Sequence, residues 1–185
     1  MTSLRFRVAG PDDAETVALL HADSWRRHYR GAYSDSFLDG DVVANRRSVW
    51  SSRLATPANS MTVVAECDTG PAGFVHVVFD NDDRWGSLVD NLHVIHGRQR
   101  TGIGAALLTR TAEAVAERAT GKSMYLWVLE QNTAAQQFYR AFDGTCVEKA
   151  TVSPPGGVRA RLNGSPNKLR ITWSDSSLLA PATGH

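Results

Sequence analysis

An apolar, strand-forming run from Leu88 to Ile95 passes through Gln99-Arg100-Thr101-Gly102-Ile103-Gly104 into a helix-forming run from Ala105 to Ala119. A strand that feeds a helix through a glycine-rich turn commits the chain to packing helices on a sheet. The turn also carries chemistry. Glycines at a helix start expose backbone N–H groups with no side chains in the way. Those groups and the positive end of the helix dipole form a site for an anion, most simply a phosphate.

The rest of the pattern predicts a mixed α/β domain around a central sheet of six or seven strands. Leu4 to Val8 reads as the first strand, and Gly10-Pro11-Asp12-Asp13 opens a helix that runs to about Arg27. Asp35 to Leu54 is a second helical region, broken near Gly40. Strands follow at Met61 to Glu66, Ala72 to Phe79 and Gly86 to Ile95, separated by turns at Asp68-Thr69-Gly70-Pro71 and Asn81 to Arg84. After the glycine turn come a strand at Ser123 to Leu129, a helix at Thr133 to Phe142 and a strand at Thr145 to Val152. A Pro/Gly-rich loop, Ser153 to Asn167, leads to the last strand, Lys168 to Trp173. The expected organisation is one domain over 1–173 and a frayed tail over 174–185.

Composition limits the partners. With 42% hydrophobic and 21% charged residues and a formal net charge of +1, the 185-residue chain has no global basic field for nucleic acid or an anionic membrane. No stretch reaches the ~20 apolar residues of a membrane span, and the first residues lack an apolar signal-peptide core. Cys67 and Cys146 stand far apart, without metal-type spacing, and read as reduced, buried thiols of a cytoplasmic protein. No metal site is expected, and monomer and homodimer both remain open.

Three owners compete for the glycine turn. A dinucleotide fingerprint needs a third glycine, which Gly102-Ile103-Gly104-Ala105-Ala106-Leu107 lacks. A triphosphate loop needs Lys and Ser/Thr after its second glycine, where Ile103-Gly104 stand. The third is a turn that does no more than start a helix. A second motif narrows the choice. Gln99-x-x-Gly102-x-Gly104, then helix, strand and Asn132-x-x-Ala135-x-x-Phe138-Tyr139, resembles the GCN5-related N-acetyltransferase (GNAT) superfamily over about Gly86 to Val152. One departure is Phe142-Asp143-Gly144, where the family commonly has Gly-Phe.

The resemblance implies a mostly antiparallel sheet of six to seven strands with splayed central strands, flanked by about four helices. It implies acetyl-CoA as cosubstrate. The pyrophosphate would lie on backbone amides of Gln99, Arg100, Thr101, Gly102, Ile103, Gly104 and Ala105, with Arg98 and Arg100 adding charge. The pantetheine arm would pair with Leu92, His93 and Val94. Asn132 and Phe138 would flank the cofactor, and Tyr139 would protonate the departing thiolate. The Val94 N–H would hold the oxyanion.

A protonated amine has no lone pair, so the acceptor must lose a proton to a base or a water chain. Asp90 is the first candidate, on one face with Leu92 and Val94. Glu130 is second, and His76 and His93 follow. Trp25, Tyr29 and Tyr33 recur every four residues and are candidates for an amine pocket as well as for core packing. Trp127 and Trp50 share that ambiguity. Arg159, Arg161, Lys168 and Arg170 form a basic patch suited to an acidic substrate, to CoA phosphates of a neighbouring subunit, or to plain solvation. The expected activity is direct acetyl transfer to a primary amine of a small molecule or peptide. The rival is a non-catalytic acyl-CoA sensing domain, with a nucleotide-binding protein as a third reading.

Overall fold

The structure, a computed structural model, describes residues 3–179. Its core is a seven-stranded sheet in the order β1-β2-β3-β4-β5-β7-β6. The strands are β1 (Arg5–Val8), β2 (Ser60–Cys67), β3 (Gly70–Asp82), β4 (Gly86–Val94), β5 (Met124–Leu129), β6 (Thr145–Thr151) and β7 (Asn167–Trp173). Every neighbouring pair is antiparallel except β4 and β5. Five α-helices flank the sheet: α1 (Ala14–His28), α2 (Asp35–Asp39), α3 (Val42–Ala55), α4 (Ile103–Arg118) and α5 (Thr133–Ala141).

Helical periodicity places the layers. On α4, Ile103, Leu107, Leu108 and Val115 are buried against Val75, Val77, Met124 and Leu126 of the sheet. Helix α5 adds Tyr139 to the same layer, edge-on to Trp173 of β7. The opposite face is covered by α1 and α3, where Val17, Ala18, Trp50 and Leu54 pack on Val64 and Phe74. Trp50 is fully buried and donates from Nε1 to His21 Nδ1 at 3.0 Å, so it belongs to the core. Gly40 ends α2 and separates it from α3, as the break in the sequence predicts.

Strands β4 and β5 pair only at Ser87–Met124 and Leu88–Tyr125, and then part. Gly86 makes the short pairing possible. Its φ is +81°, and a Cβ there would lie 2.2 Å from the Ser123 carbonyl oxygen. Beyond Leu88, β4 carries a bulge. Val89 pairs with Val77 and Asn91 with His76, which leaves Asp90 as the extra residue. The bulge bends β4 and shifts its phase. Val89, Leu92 and Val94 all meet the α4 layer, whereas Asp90 and Asn91 both meet Arg53 of α3. The alternation that put Asp90 on one face with Leu92 and Val94 is therefore broken, and Asp90 lies on the other face.

Three further features differ from expectation. Cys146 is exposed and Cys67 half-buried, with Cys67 Sγ 3.1 Å from Thr69 Oγ1. The Pro/Gly-rich loop is packed: Ser34 N–H donates to the Arg161 carbonyl, and Asn163 N–H to that of Ala32. The chain remains ordered past Trp173, where Ser176 is buried and donates its N–H to the Lys122 carbonyl within a short 3-10 turn, Ser176–Leu179. Of the tail expected over 174–185, residues 180–185 lie outside the described residues. No helix among the described residues is long and apolar enough to cross a membrane.

Candidate active site

The gap between β4 and β5 is a cleft of about 380 Å³, walled by Val89–Val94, Leu126–Leu129, the glycine turn, the start of α5, and Ser24, His28 and Tyr29 at the end of α1. Its backbone is available for pairing. Ile95 N–H donates to the Ala72 carbonyl, so the neighbouring Val94–Gly73 pair is of the non-hydrogen-bonded kind. In an antiparallel ladder, such a residue turns its own N–H and C=O to the other edge. Val94 and, by the same alternation, Leu92 offer their backbone to the cleft. His93 does not: its backbone faces Phe74 on β3.

The glycine turn closes one end. Arg100 and Gly102 take left-handed φ values of +61° and +87°, and α4 begins with no side chain capping its first N–H groups. Left-handed residues alternating with others curl successive N–H groups into an anion-binding concavity. Gln99, Arg100, Gly102, Gly104 and Ala105 line the cleft there. Ile103 instead buries its side chain in the core, and Thr101 turns its hydroxyl back to the Arg98 carbonyl. A Cβ on Gly104 would sit 3.4 Å from Phe138 Cζ, so the glycine lets α5 approach the start of α4.

Helix α5 brings in the second motif. Asn132 caps it, Oδ1 accepting from Ala135 N–H at 3.1 Å, and also lines the cleft. Gln136 fixes the turn by donating from Nε2 to the carbonyls of Leu129 and Glu130. Phe138 and Tyr139 both line the cleft. Burial raises the pKa of the Tyr139 phenol, keeping it protonated near neutral pH. The departure at Phe142-Asp143-Gly144 is absorbed locally: Asp143 takes φ +61°, and Gly144 N–H returns to the Tyr139 carbonyl at 2.9 Å.

The candidate bases separate clearly. Asp90 lines the cleft, and its Oδ2 lies 2.8 Å from Arg53 Nη1. Glu130 faces away, over the neighbouring hollow formed with Gly31, Asn163, Ser165, Pro166 and Asn167. Lys149 and Asn167 hold its carboxylate, and those hydrogen bonds lower its pKa. His76 is buried against Thr62 Oγ1, its pKa lowered to about 4 by desolvation. His93 is lowered to about 3 for the same reason; Nδ1 lies 2.7 Å from Ser24 Oγ, and Nε2 is buried without a partner.

The aromatic triad is mostly core. Trp25 and Tyr33 are each 7% exposed and stack with Tyr29 and Phe37. The cation over Trp25 is the chain's own Arg46, with Cζ 4.1 Å from the ring centroid. The helix ends at His28, so Tyr29 alone of the three reaches the cleft. Trp127 does line it, with Lys168 Nζ and Arg170 Cζ each 4.4 Å from its ring centroid. Sequence reasoning missed Asn91, Ser24 and His28 in the walls, and Arg53 behind Asp90. Only the non-alternating spacing of Val89, Leu92 and Val94 hinted at the bulge that gathers Asp90, Asn91 and Arg53. Among the described residues, no group of three or more His, Cys, Asp or Glu side chains stands close enough to hold a metal ion.

Residues 22–143 match the acetyltransferase (GNAT) family. The chain is 29% identical over 177 residues to the uncharacterized N-acetyltransferase YuaI of Bacillus subtilis (strain 168), covering 94% of each chain. It is 30% identical over 146 residues to the probable N-acetyltransferase Rv2775 of Mycobacterium tuberculosis, covering 77% of this chain and 80% of that one. Among solved structures, the PaiA N-acetyltransferase of Thermoplasma acidophilum in complex with coenzyme A superposes with a TM-score of 0.70. The identity is 17%, over 92% of this chain and 99% of that one. With a parted β4–β5 pair, a glycine nest at α4 and an Asn132–Tyr139 helix across from it, the chain belongs to the acetyltransferase (GNAT) family.

Proposed function

We propose that the protein binds acetyl-CoA in the β4–β5 cleft and transfers the acetyl group to a primary amine in a ternary complex. The observation that carries this reading is the parting of β4 and β5 after Leu88, which exposes strand backbone between the α4 nest and Tyr139. The nest suits a pyrophosphate, and the cleft edge of Leu92 and Val94 suits the amide-bearing pantetheine arm as an added strand. Coenzyme A in the PaiA structure is consistent with that cosubstrate.

Asp90 is the one carboxylate of the candidate bases that lines the cleft, which supports reading it as the group that takes the ammonium proton of the acceptor. The neutral nitrogen then attacks the thioester carbonyl carbon. The Val94 N–H is the donor for the oxyanion that forms. As the carbon–sulfur bond breaks, Tyr139, kept protonated by burial, gives its proton to sulfur, and the second proton that the nitrogen sheds on becoming an amide restores the phenol. Neither cysteine lines the cleft, so no acyl-cysteine step is invoked.

Thermal-shift titration followed by an amine screen tests the reading. Acetyl-CoA is expected to stabilise the protein, with CoA released only when an amine is present. Stabilisation by ATP or NAD but not by CoA would overturn the cofactor assignment. Binding of acetyl-CoA with no transfer to any amine would favour the acyl-CoA sensing domain.

A further inference from the structure

The four cations of the C-terminal patch divide in two. Arg159 and Arg161 staple their own loop, donating to the carbonyls of Gly164 and Pro155, and Arg161 also covers Phe37. Lys168 and Arg170 stand on β7, opposite Leu129 and Trp127 of β5. Directly opposite residues share a sheet face, so both cations flank the Trp127 ring that walls the cleft.

Neither cationic side chain makes a hydrogen bond among the described residues, and only Arg170 has an ion-pair partner, Glu148. Lys168 is half-buried and belongs to no ion pair among the described residues; burial and the neighbouring Arg170 lower its pKa. The Arg170 side chain is 13% exposed and lies against Trp85, Tyr125 and Trp127. Glu148 Oε2 is 2.9 Å from its Nε but out of line for a hydrogen bond, and Nε and Nη1 are buried without an acceptor. Buried N–H groups of a guanidinium without acceptors are costly. Across the mouth of the cleft stands Asp90, whose charge acts on both Lys168 and Tyr29. One wall therefore carries Asp90, paired with Arg53, and the other carries Trp127 with the unpaired Lys168 ammonium over its ring.

We infer that the acceptor carries a carboxylate as well as its amine, the amine meeting Asp90 and the carboxylate meeting Lys168 beside Trp127. The inference rests on the acetyl-transfer reading and adds the substrate class: amino acids, or peptides presenting a nearby carboxylate. An acceptor with only cationic groups would meet Lys168 and Arg170 as like charges, which disfavours polyamines. An incoming carboxylate would meet the Lys168 ammonium in a hydrogen bond strengthened by charge, with the buried Arg170 adding positive field from behind.

Paired acceptors test it: tyrosine against tyramine, tryptophan against tryptamine, histidine against histamine, and lysine against cadaverine, each with acetyl-CoA and CoA release as readout. At least one carboxylate member is expected to react at least tenfold better in kcat/KM than its decarboxylated partner. Lys168→Met keeps the aliphatic stem on Trp127 and removes the charge. It should raise the KM of the carboxylate acceptor about tenfold, with Tm and the KM for acetyl-CoA unchanged. Equal rates within pairs, transfer confined to the decarboxylated amines, or an unchanged acceptor KM in Lys168→Met would overturn the inference. Calorimetry with CoA-saturated protein separates this from failure of catalysis. N-acetyltyrosine is expected to bind at least tenfold tighter than N-acetyltyramine, and equal binding would refute the carboxylate site even if no transfer is seen.

Discussion

Asp90 in the middle of β4 and Glu130 just past β5 are both carboxylates beside the parted strands, yet their surroundings differ. Asp90 is tied to Arg53 inside the cleft, while Glu130 is tied to Lys149 and Asn167 outside it. Removing charge should separate them. Asp90→Asn is expected to lower kcat/KM at least tenfold, in line with the ~10²–10⁴-fold range of positioned bases. Glu130→Gln should stay within about twofold of wild type, because a carboxylate held outside the cleft takes no proton from the acceptor. Steady-state kinetics with the amine varied at saturating acetyl-CoA decides this, and the reverse ranking would move the base to Glu130. Trp25 and Tyr33 teach the same lesson. Their spacing is as expected, but Arg46 already occupies the cation position over Trp25.

At the scale of elements, the cleft depends on where β4 and β5 stop pairing. Gly86 sits at the closed start of their short pairing, with Ser123 too close for any side chain. Gly86→Ala adds both a steric clash and left-handed strain. It should destabilise by at least ~2 kcal/mol and lower Tm by several degrees in a thermal melt. An unchanged Tm would mean that the β4–β5 contact is not what sets the strand separation. Much of this architecture was legible beforehand. Alternation from Met61 to Ile95, the break at Gly40 and the turn at Gly121 mark β2–β4, α2, α3 and the end of α4 without reference to tertiary structure. The bulge at Asp90 was not, because period-2 reading assumes every residue is paired. Partners such as Arg53 were also hidden, since α3 meets β4 only after the sheet has assembled. The glycine nest was legible because its chemistry resides in the backbone, which sequence spacing reports directly.

The whole molecule carries a cluster of histidines between α1 and the sheet, His21 and His76 buried and His93 half-buried. His21 and His93 rings lie 4.9 Å apart, and His76 packs on Trp50. Desolvation depresses all three pKa values: His76 to about 4, His93 to about 3, and His21 well below the ordinary 6.5. Below about pH 6.5 the unfolded chain binds protons that the folded chain refuses. Stability is therefore full above pH 6.5, and falls with pH until the folded-state values near 4 and 3 are reached. The loss is on the order of 1 kcal/mol per histidine per pH unit. Urea titrations at pH 7.5 and 5.5 should show it as a lower midpoint at pH 5.5, with proton uptake on unfolding. Equal midpoints would mean that the three rings already carry protons in the fold.

The central claim is that one cleft holds the thioester between the α4 nest and the phenol of Tyr139. Tyr139→Phe with acetyl-CoA measures it most directly, with binding read by calorimetry and turnover by CoA release. The account predicts an acetyl-CoA affinity within about twofold of wild type and a fall in kcat of about 10²-fold or more. Wild-type turnover in Tyr139→Phe, or loss of acetyl-CoA binding with no separate effect on kcat, would contradict it.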